Sequence, residues 1–454
     1  MNSEQYIQEL VSRSKKAQQI LSTYTQEQVD AIAKMFAKEI YDHAEELARL
    51  AIEETRMGVY EDKVAKCKGK SRIIWNSLKG KKSVDIIREI PDEGLVELAK
   101  PKGVVAAITP CTNPVVTPMA NGMFCVKCRD TMIVAPHPRG KRCAARVAEL
   151  YHARLREMGV PEDIFIVIEE PSIELTNLLM KACDVVIATG GMGMVRAAYS
   201  SGRPSFGVGA GNVQCLLDRG IDYEEAVEKA ITGRTFDNGV ICSGEQCFIV
   251  PRESYDEIVE IAKAHGAFYI EDRQELEKIR NTVFPNGVIS RSVVGQSAKN
   301  ILQQAGIDAP ENVRVILVKP DAAGTADLLN KEKMCPMMCI FGYEQWEDAL
   351  EIARNNLLFE GAGHTASVHS NDRAHIDQAG ITLPVSRVVV NQISSTMAGG
   401  AFANGLNPTT TLGCGSWGNN SISENLTYFH LMNVSRIAMV KPDWKQPSDQ
   451  EIFA

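Results

Sequence analysis

GVVAAIT at Gly103–Thr109, TMIVAP at Thr131–Pro136, DIFIVIE at Asp163–Glu169 and DVVIATG at Asp184–Gly190 are short β-branched runs, and their recurrence decides the fold. The stretches between and after them, Lys141 to Met158, Ile173 to Cys183 and Met192 to Ser201, have helical composition. Together with SFGVGAG at Ser205–Gly211, the pattern is a repeated βα unit on a parallel sheet. Such sheets bind cofactors at the carboxyl ends of their strands, where the turns here are TPCTNP, PHPRGKR and TGGMGM. The first half of the chain therefore reads as a nucleotide-binding α/β architecture.

Upstream of this block, from Ser3 to about Arg56, Ile7, Leu10, Val11, Ile32, Met35, Phe36, Ile40, Ala44 and Leu47 recur at helical spacing. They predict two amphipathic helices that cover a sheet. Downstream, HGAFYIED, NVRVILVK, MCIFGYE and SRVVVNQ are candidate strands of a second α/β block running from about Thr232 to Leu412. The tail from Gly413 is rich in Gly, Ser and Asn before turning apolar around Leu431 to Val440. The expected division is a nucleotide-binding domain over 1–232, a second domain over 233–420 and a tail over 421–454 that serves as an oligomerisation arm.

At 454 residues, 44% hydrophobic and 23% charged, the chain can bury two large cores. It has no apolar run long enough to span a membrane, and its first residues, MNSEQYIQELVSRSKK, do not read as a secretory signal, so a cytoplasmic protein is expected. A net charge of -8 weighs against nucleic acid or an anionic membrane as a partner and leaves small molecules or further copies of the chain. The twelve cysteines are expected as thiols. Cys125 and Cys128 form a lone C-x-x-C with no second pair or nearby His, so no metal site is expected.

Phe236–Gln246, FDNGVICSGEQ, sets Cys242 in a Gly-flanked polar stretch between the two blocks. A cysteine in such a stretch reads either as a buried structural thiol or as a nucleophile activated by nearby backbone N–H groups. Its company decides between them. FDNGVICSGEQ, TPCTNPVVTP, APHPRGKR, AYSSGRPSFGVGAGN, KEKMCP, EGAGHTASVHS, SRVVVN and TLGCGSWGNNSISEN follow one another along the whole chain. In that order and spacing the sequence resembles the CoA-acylating branch of the aldehyde dehydrogenase family, and within it most closely the CoA-dependent succinate-semialdehyde dehydrogenases.

The resemblance implies an aldehyde dehydrogenase-like fold: a Rossmann-type cofactor domain, an α/β catalytic domain and a small oligomerisation segment, assembled as a homodimer or homotetramer. It makes Cys242 the nucleophile that adds to an aldehyde carbonyl and carries the acyl group as a thioester. It points to the Asn113 amide and the Cys242 backbone N–H as oxyanion donors. It assigns Glu332 to the nicotinamide ribose, and Thr109, Pro110, Thr189, Gly190, Gly191 and Gly209 to the cofactor cleft. His137, Pro138, Arg139 and Lys141 fall where the adenosine ribose binds. Their charge favours NADP through its 2′-phosphate, while similar stretches in NAD-using relatives leave NAD open.

Gly207 falls where hydrolytic members carry the glutamate that activates water, which implies that coenzyme A, not water, takes the acyl group. His364 would accept the CoA thiol proton, or equally stand as a structural histidine. Arg387 would meet a substrate carboxylate or serve the fold, and Ser243 would line the aldehyde pocket. The expected reaction interconverts succinate semialdehyde, CoA and NAD(P)+ with succinyl-CoA and NAD(P)H, with acetaldehyde, glycolaldehyde or sulfoacetaldehyde as alternative substrates.

Overall fold

A computed structural model of the protein describes residues 2–454. Its first elements are four helices, α1 (Ser3–Leu21), α2 (Gln26–Asp42), α3 (Ala44–Thr55) and α4 (Tyr60–Leu78). Asn2 and Thr25 start the first two with reciprocal capping boxes. The two helices expected up to Arg56 are thus three. The second run breaks at His43, whose φ of -99° and ψ of 18° leave the helical region.

A hairpin of β1 (Asp85–Ile90) and β2 (Leu95–Pro101) leads into the expected βα repeat. It runs β3 (Val104–Thr109), α5 (Val116–Lys127), β4 (Thr131–Pro136), α6 (Lys141–Met158), β5 (Phe165–Val167), α7 (Ile173–Ala182), β6 (Val185–Thr189), α8 (Met192–Tyr199) and β7 (Ser205–Val208). The strands form a five-stranded parallel sheet in the order β5-β4-β3-β6-β7. Alternation along the strands sorts their side chains. Val105, Ala107, Met132, Val134, Val185 and Ile187 share one core with α2, α5 and α6. Ala106, Ile108, Ile133, Ala135, Val186 and Ala188 pack with α1, α7 and α8 on the opposite face.

The second sheet is built from β8 (Val213–Leu217), α9 (Tyr223–Thr235), β9 (Glu245–Pro251), α10 (Tyr255–Ala264), β10 (Ala267–Ile270), α11 (Arg273–Val283), α12 (Ala298–Gln304), β11 (Val315–Val318), β12 (Met337–Tyr343), α13 (Trp346–Phe359), β13 (Gly363–His369), α14 (Arg373–Thr382) and β14 (Val385–Val390). Its seven parallel strands run β10-β11-β12-β9-β8-β13-β14. β8 lies inside the segment expected to end at residue 232, yet it is paired on both sides, to β9 and β13. The chain therefore changes sheets between Val208 and Val213, ahead of the expected 232/233 boundary. The tail does not stand free either. β15 (Met432–Ala438) pairs antiparallel with β2 along its length, in the order β1-β2-β15, and Leu426, Leu431 and Met432 join the core on one face of the five-stranded sheet.

Candidate active site

After α9 the chain turns through Asp237, Asn238 and Gly239, all with positive φ (52°, 50° and 70°). Two adjacent non-glycine residues in the left-handed region are costly and persist only when their surroundings hold them. Here the holders are explicit. The guanidinium of Arg234, fully buried, donates to the carbonyl oxygens of Gly239 and Glu245, the latter at 3.3 Å. The buried carboxylate of Asp237 accepts from the Val59 N–H at 2.8 Å, from Lys63 Nζ at 3.0 Å and from Lys66 Nζ. The turn delivers Cys242, a partly exposed free thiol, beside the 209–212 connection. A Cβ at Gly211 would lie 1.9 Å from the Cys242 carbonyl oxygen, so only glycine lets the two backbones approach.

Burial pushes the Cys242 thiol up to about 12, helped by the charges of Glu332 and Cys414, while Arg387 pulls the other way. Glu332 is itself raised to about 8 by burial and by Glu360. Its Oε1 accepts the Gly211 N–H at 2.9 Å, and its own N–H donates to Glu360 Oε2 at 2.8 Å. Cys242 thus rests as a thiol. Thiolate is the reactive form, so alkylation of Cys242 by iodoacetamide is expected to rise about tenfold per pH unit with no plateau below about pH 9.5. Site-resolved mass spectrometry over a pH series checks this, and a plateau near neutrality would contradict it.

Arg387 is almost buried and tied up: Nη2 donates to the Gly413 carbonyl and Nη1 to Thr365 Oγ1 at 3.4 Å. Those bonds fit the structural role. His364 is fully buried, with Nδ1 2.9 Å from the same Thr365 hydroxyl and Nε2 without a partner. Burial and Arg387 push its imidazole down to about 3, so it stands neutral. Ser243 is buried and donates to the Ser395 carbonyl at 3.2 Å. Asn113 follows β3, and its Oδ1 accepts from Lys66 Nζ at 2.7 Å.

The cofactor-cleft candidates gather at the carboxyl ends of β3, β4 and β6. The His137 N–H donates to the Thr109 carbonyl at 2.9 Å, just before Pro110, and His137 Nδ1 accepts the Arg139 N–H at 3.1 Å across Pro138. Lys141, expected to face a 2′-phosphate, is instead paired with Glu170 at 2.7 and 2.6 Å. Thr189 Oγ1 is buried without a partner, a Cβ at Gly191 would meet open space, and Gly191 caps the N-terminus of α8. An orphaned hydroxyl, room for close approach and free helix N–H groups fit a dinucleotide pyrophosphate. Gly209 packs near Met192 and Cys414. At Gly207 a Cβ would lie 2.6 Å from Val195 and 2.8 Å from Tyr199, so α8 closes the space a side chain would need.

Sequence reading passed over Lys66, Lys70, Arg234, Asp237 and Gly211. Lys70 Nζ donates to the Gly399 carbonyl at 3.1 Å and has no carboxylate partner among the described residues. It is close enough to Cys242 to be stabilised by a thiolate there, while burial pushes its ammonium down to about 8. A signal for these lysines existed. Lys63, Lys66 and Lys70 recur at spacings of three and four along α4, which puts them on one face, the face that carries buried Cys67 and Ser71.

The model described as the aldehyde dehydrogenase family matches residues 1–273. Over 453 residues the chain is 54% identical to the succinate-semialdehyde dehydrogenase (acetylating) of Clostridium kluyveri, covering 100% of both chains. Among solved structures it is similar to an acetylating aldehyde dehydrogenase from Geobacillus thermoglucosidasius, 34% identical, with a TM-score of 0.94 over 98% of each chain. It is also similar to a Rhodopseudomonas palustris propionaldehyde dehydrogenase with bound CoA and an acylated cysteine. That chain is 26% identical, with a TM-score of 0.86 over 96% of this chain and 97% of that one.

Proposed function

Because this chain belongs to the aldehyde dehydrogenase family, we propose that it interconverts succinate semialdehyde, CoA and NAD(P)+ with succinyl-CoA, NAD(P)H and a proton. With its proton released to solvent, Cys242 Sγ adds to the aldehyde carbon, and the oxygen that gains charge takes hydrogen bonds from Asn113 Nδ2 and the Cys242 backbone N–H. Thr109, Pro110, Thr189, Gly190, Gly191, Gly209 and Glu332 would hold the nicotinamide cofactor, which when bound would supply the hydride acceptor. A thioester remains on Cys242. The closed space at Gly207 leaves no carboxylate there to activate water, which favours attack by the CoA thiol. The CoA thiol proton ends in solvent, and His364, neutral with Nε2 unpaired, can carry it only transiently.

The observation that carries the substrate assignment is Lys70. Arg234 and Arg387 are engaged by the carbonyls of Gly239, Glu245 and Gly413 and by the Thr365 hydroxyl, whereas Lys70 gives one bond to Gly399 and has no carboxylate partner among the described residues. A desolvated ammonium within electrostatic range of Cys242 suits an aldehyde with a distal anionic group. With a panel of acyl-CoAs, succinyl-CoA is expected to be reduced with the highest kcat/KM. Lys70→Met should lower that value about 10²-fold, with acetyl-CoA affected far less. Equal losses on both substrates, or full-rate release of free acid without CoA, would overturn the reading. A preference for a sulfonate over the carboxylate would move it to sulfoacetaldehyde.

For the cofactor we favour NADP, resting on Arg139 and His137, since Glu170 neutralises Lys141. Exposed Ile437, Met439, Val440 and Trp444 beside the three-stranded sheet support a homodimer or homotetramer. The twelve cysteines are all free, which suits a reducing cytoplasm, and no described helix is long and apolar enough to cross a membrane.

A further inference from the structure

Lys66 sits at the junction of the two halves of the site. Its helix, α4, belongs to the cofactor half, as does Asn113, whereas Asp237 lies in the loop that carries Cys242. The ammonium, on a side chain 10% exposed, donates both to Asp237 Oδ2 and, at 2.7 Å, to Asn113 Oδ1. A lysine ammonium has donors only, so the atom facing it must be the amide oxygen. This contact removes the usual ambiguity of an asparagine side chain. It turns the Asn113 NH2 away from Lys66, and no protein group among the described residues accepts from that NH2.

Asp237 is itself over-determined. Its Oδ1 takes the Val59 N–H, its N–H donates to Asp62 Oδ2 at 2.7 Å, and any side chain at Gly58 would collide with its carboxylate. The grip on Lys66 is therefore rigid, and it originates five residues before the nucleophile.

We propose that Lys66 is a positioning residue for acylation: held by Asp237 of the nucleophile's own loop, it fixes the Asn113 amide with its NH2 free for the sulfur-bound oxyanion. This rests on the reading of Asn113 as an oxyanion donor. The contact also polarises the amide, strengthening its N–H donors as charge develops on the substrate oxygen. Because the bond crosses between the halves, donor and nucleophile keep their register when one half moves against the other.

The test is a double-mutant cycle on the full-length enzyme with its fastest acyl-CoA, joining Lys66→Met and Asn113→Ala and adding Lys66→Arg as the conservative variant. Asn113→Ala is expected to lower kcat about 10²-fold, as for loss of one oxyanion donor. Lys66→Met should lower kcat about 30-fold with KM within about threefold, Lys66→Arg should recover most of the loss, and the double variant should be no slower than Asn113→Ala alone. Multiplying losses, an undiminished kcat in Lys66→Met, or a Lys66→Met protein that also loses cofactor binding and its melting temperature would each overturn the proposal. In all three cases Asn113 would keep its role if Asn113→Ala is slow. An Asn113→Ala enzyme at full rate would instead remove the oxyanion reading, and the proposal with it.

Discussion

Cys242→Ala is expected to abolish acyl-CoA reduction, with kcat falling at least about 10⁴-fold, because covalent catalysis has no substitute once its nucleophile is gone. The fold should not notice. Among the described residues Cys242 Sγ makes no hydrogen bond to another side chain, so alanine leaves no buried partner unsatisfied and removes only one small atom. A melting temperature within about 1 °C of the parent is expected, since in a chain of this size roughly 1 kcal/mol corresponds to about 1 °C. Single-turnover reduction of acyl-CoA, followed by loss of the reduced nicotinamide, measures the chemistry directly. Residual activity within about 100-fold would move the nucleophile elsewhere. Cys414, whose charge is felt at Cys242, would then be the first to replace.

Gly211→Ala is the second large effect, and it acts without touching a reacting atom. The new methyl would sit 1.9 Å from the Cys242 carbonyl oxygen, 2.7 Å from its carbonyl carbon and 3.2 Å from its Cα. All three are backbone, so no rotamer change relieves the overlap. The same residue's N–H holds Glu332 Oε1, so retreat of Gly211 also disturbs that carboxylate. Displacing a nucleophile by an ångström costs about 10²-fold, and overpacking a close-packed site costs about 1–3 kcal/mol. Gly211→Ala is therefore expected to lose at least about 10²-fold in kcat/KM and to melt about 1–3 °C lower. Gly380→Ala is the control. Its Cβ would meet nothing within 4 Å, and a loss below about threefold is expected. Equal behaviour of the two variants would mean that the backbone approach does not govern the site.

Periodicity found the elements whose environment is uniform. α6 spans Lys141–Met158 as read, and the βα repeat from β3 to β7 follows the short β-branched runs. β8 was assigned to the wrong block because VQCLL has the same apolar character in either sheet, and only pairing with β9 and β13 places it. β2 and β15 join residues more than three hundred positions apart. No local pattern reports such a partner.

The site divides in the same way. Cys242, Asn113 and Glu332 were reached through recurring motifs. Lys66 escapes the sequence because its anchor Asp237 is 171 positions away, although its spacing from Lys63 and Lys70 marks the face it lies on. Lys68 shows the distinction: it points away from Lys66 and Lys70 to an exposed contact with Glu45. Burial of a lysine is a property of what the helix packs against, which the helix sequence does not contain.

The antiparallel seam between β2 and β15 also bears on the order of assembly. Synthesis proceeds from the N-terminus, and the five-stranded sheet with its covering helices can close early, but β2 keeps one unpaired edge until Met432–Ala438 has left the ribosome. The entire seven-stranded sheet is made in that interval. An exposed strand edge is where nascent chains mispair, so the half that is begun first is the last to be sealed. The vulnerable species during biogenesis is a chain that already holds its cofactor half and lacks only one strand.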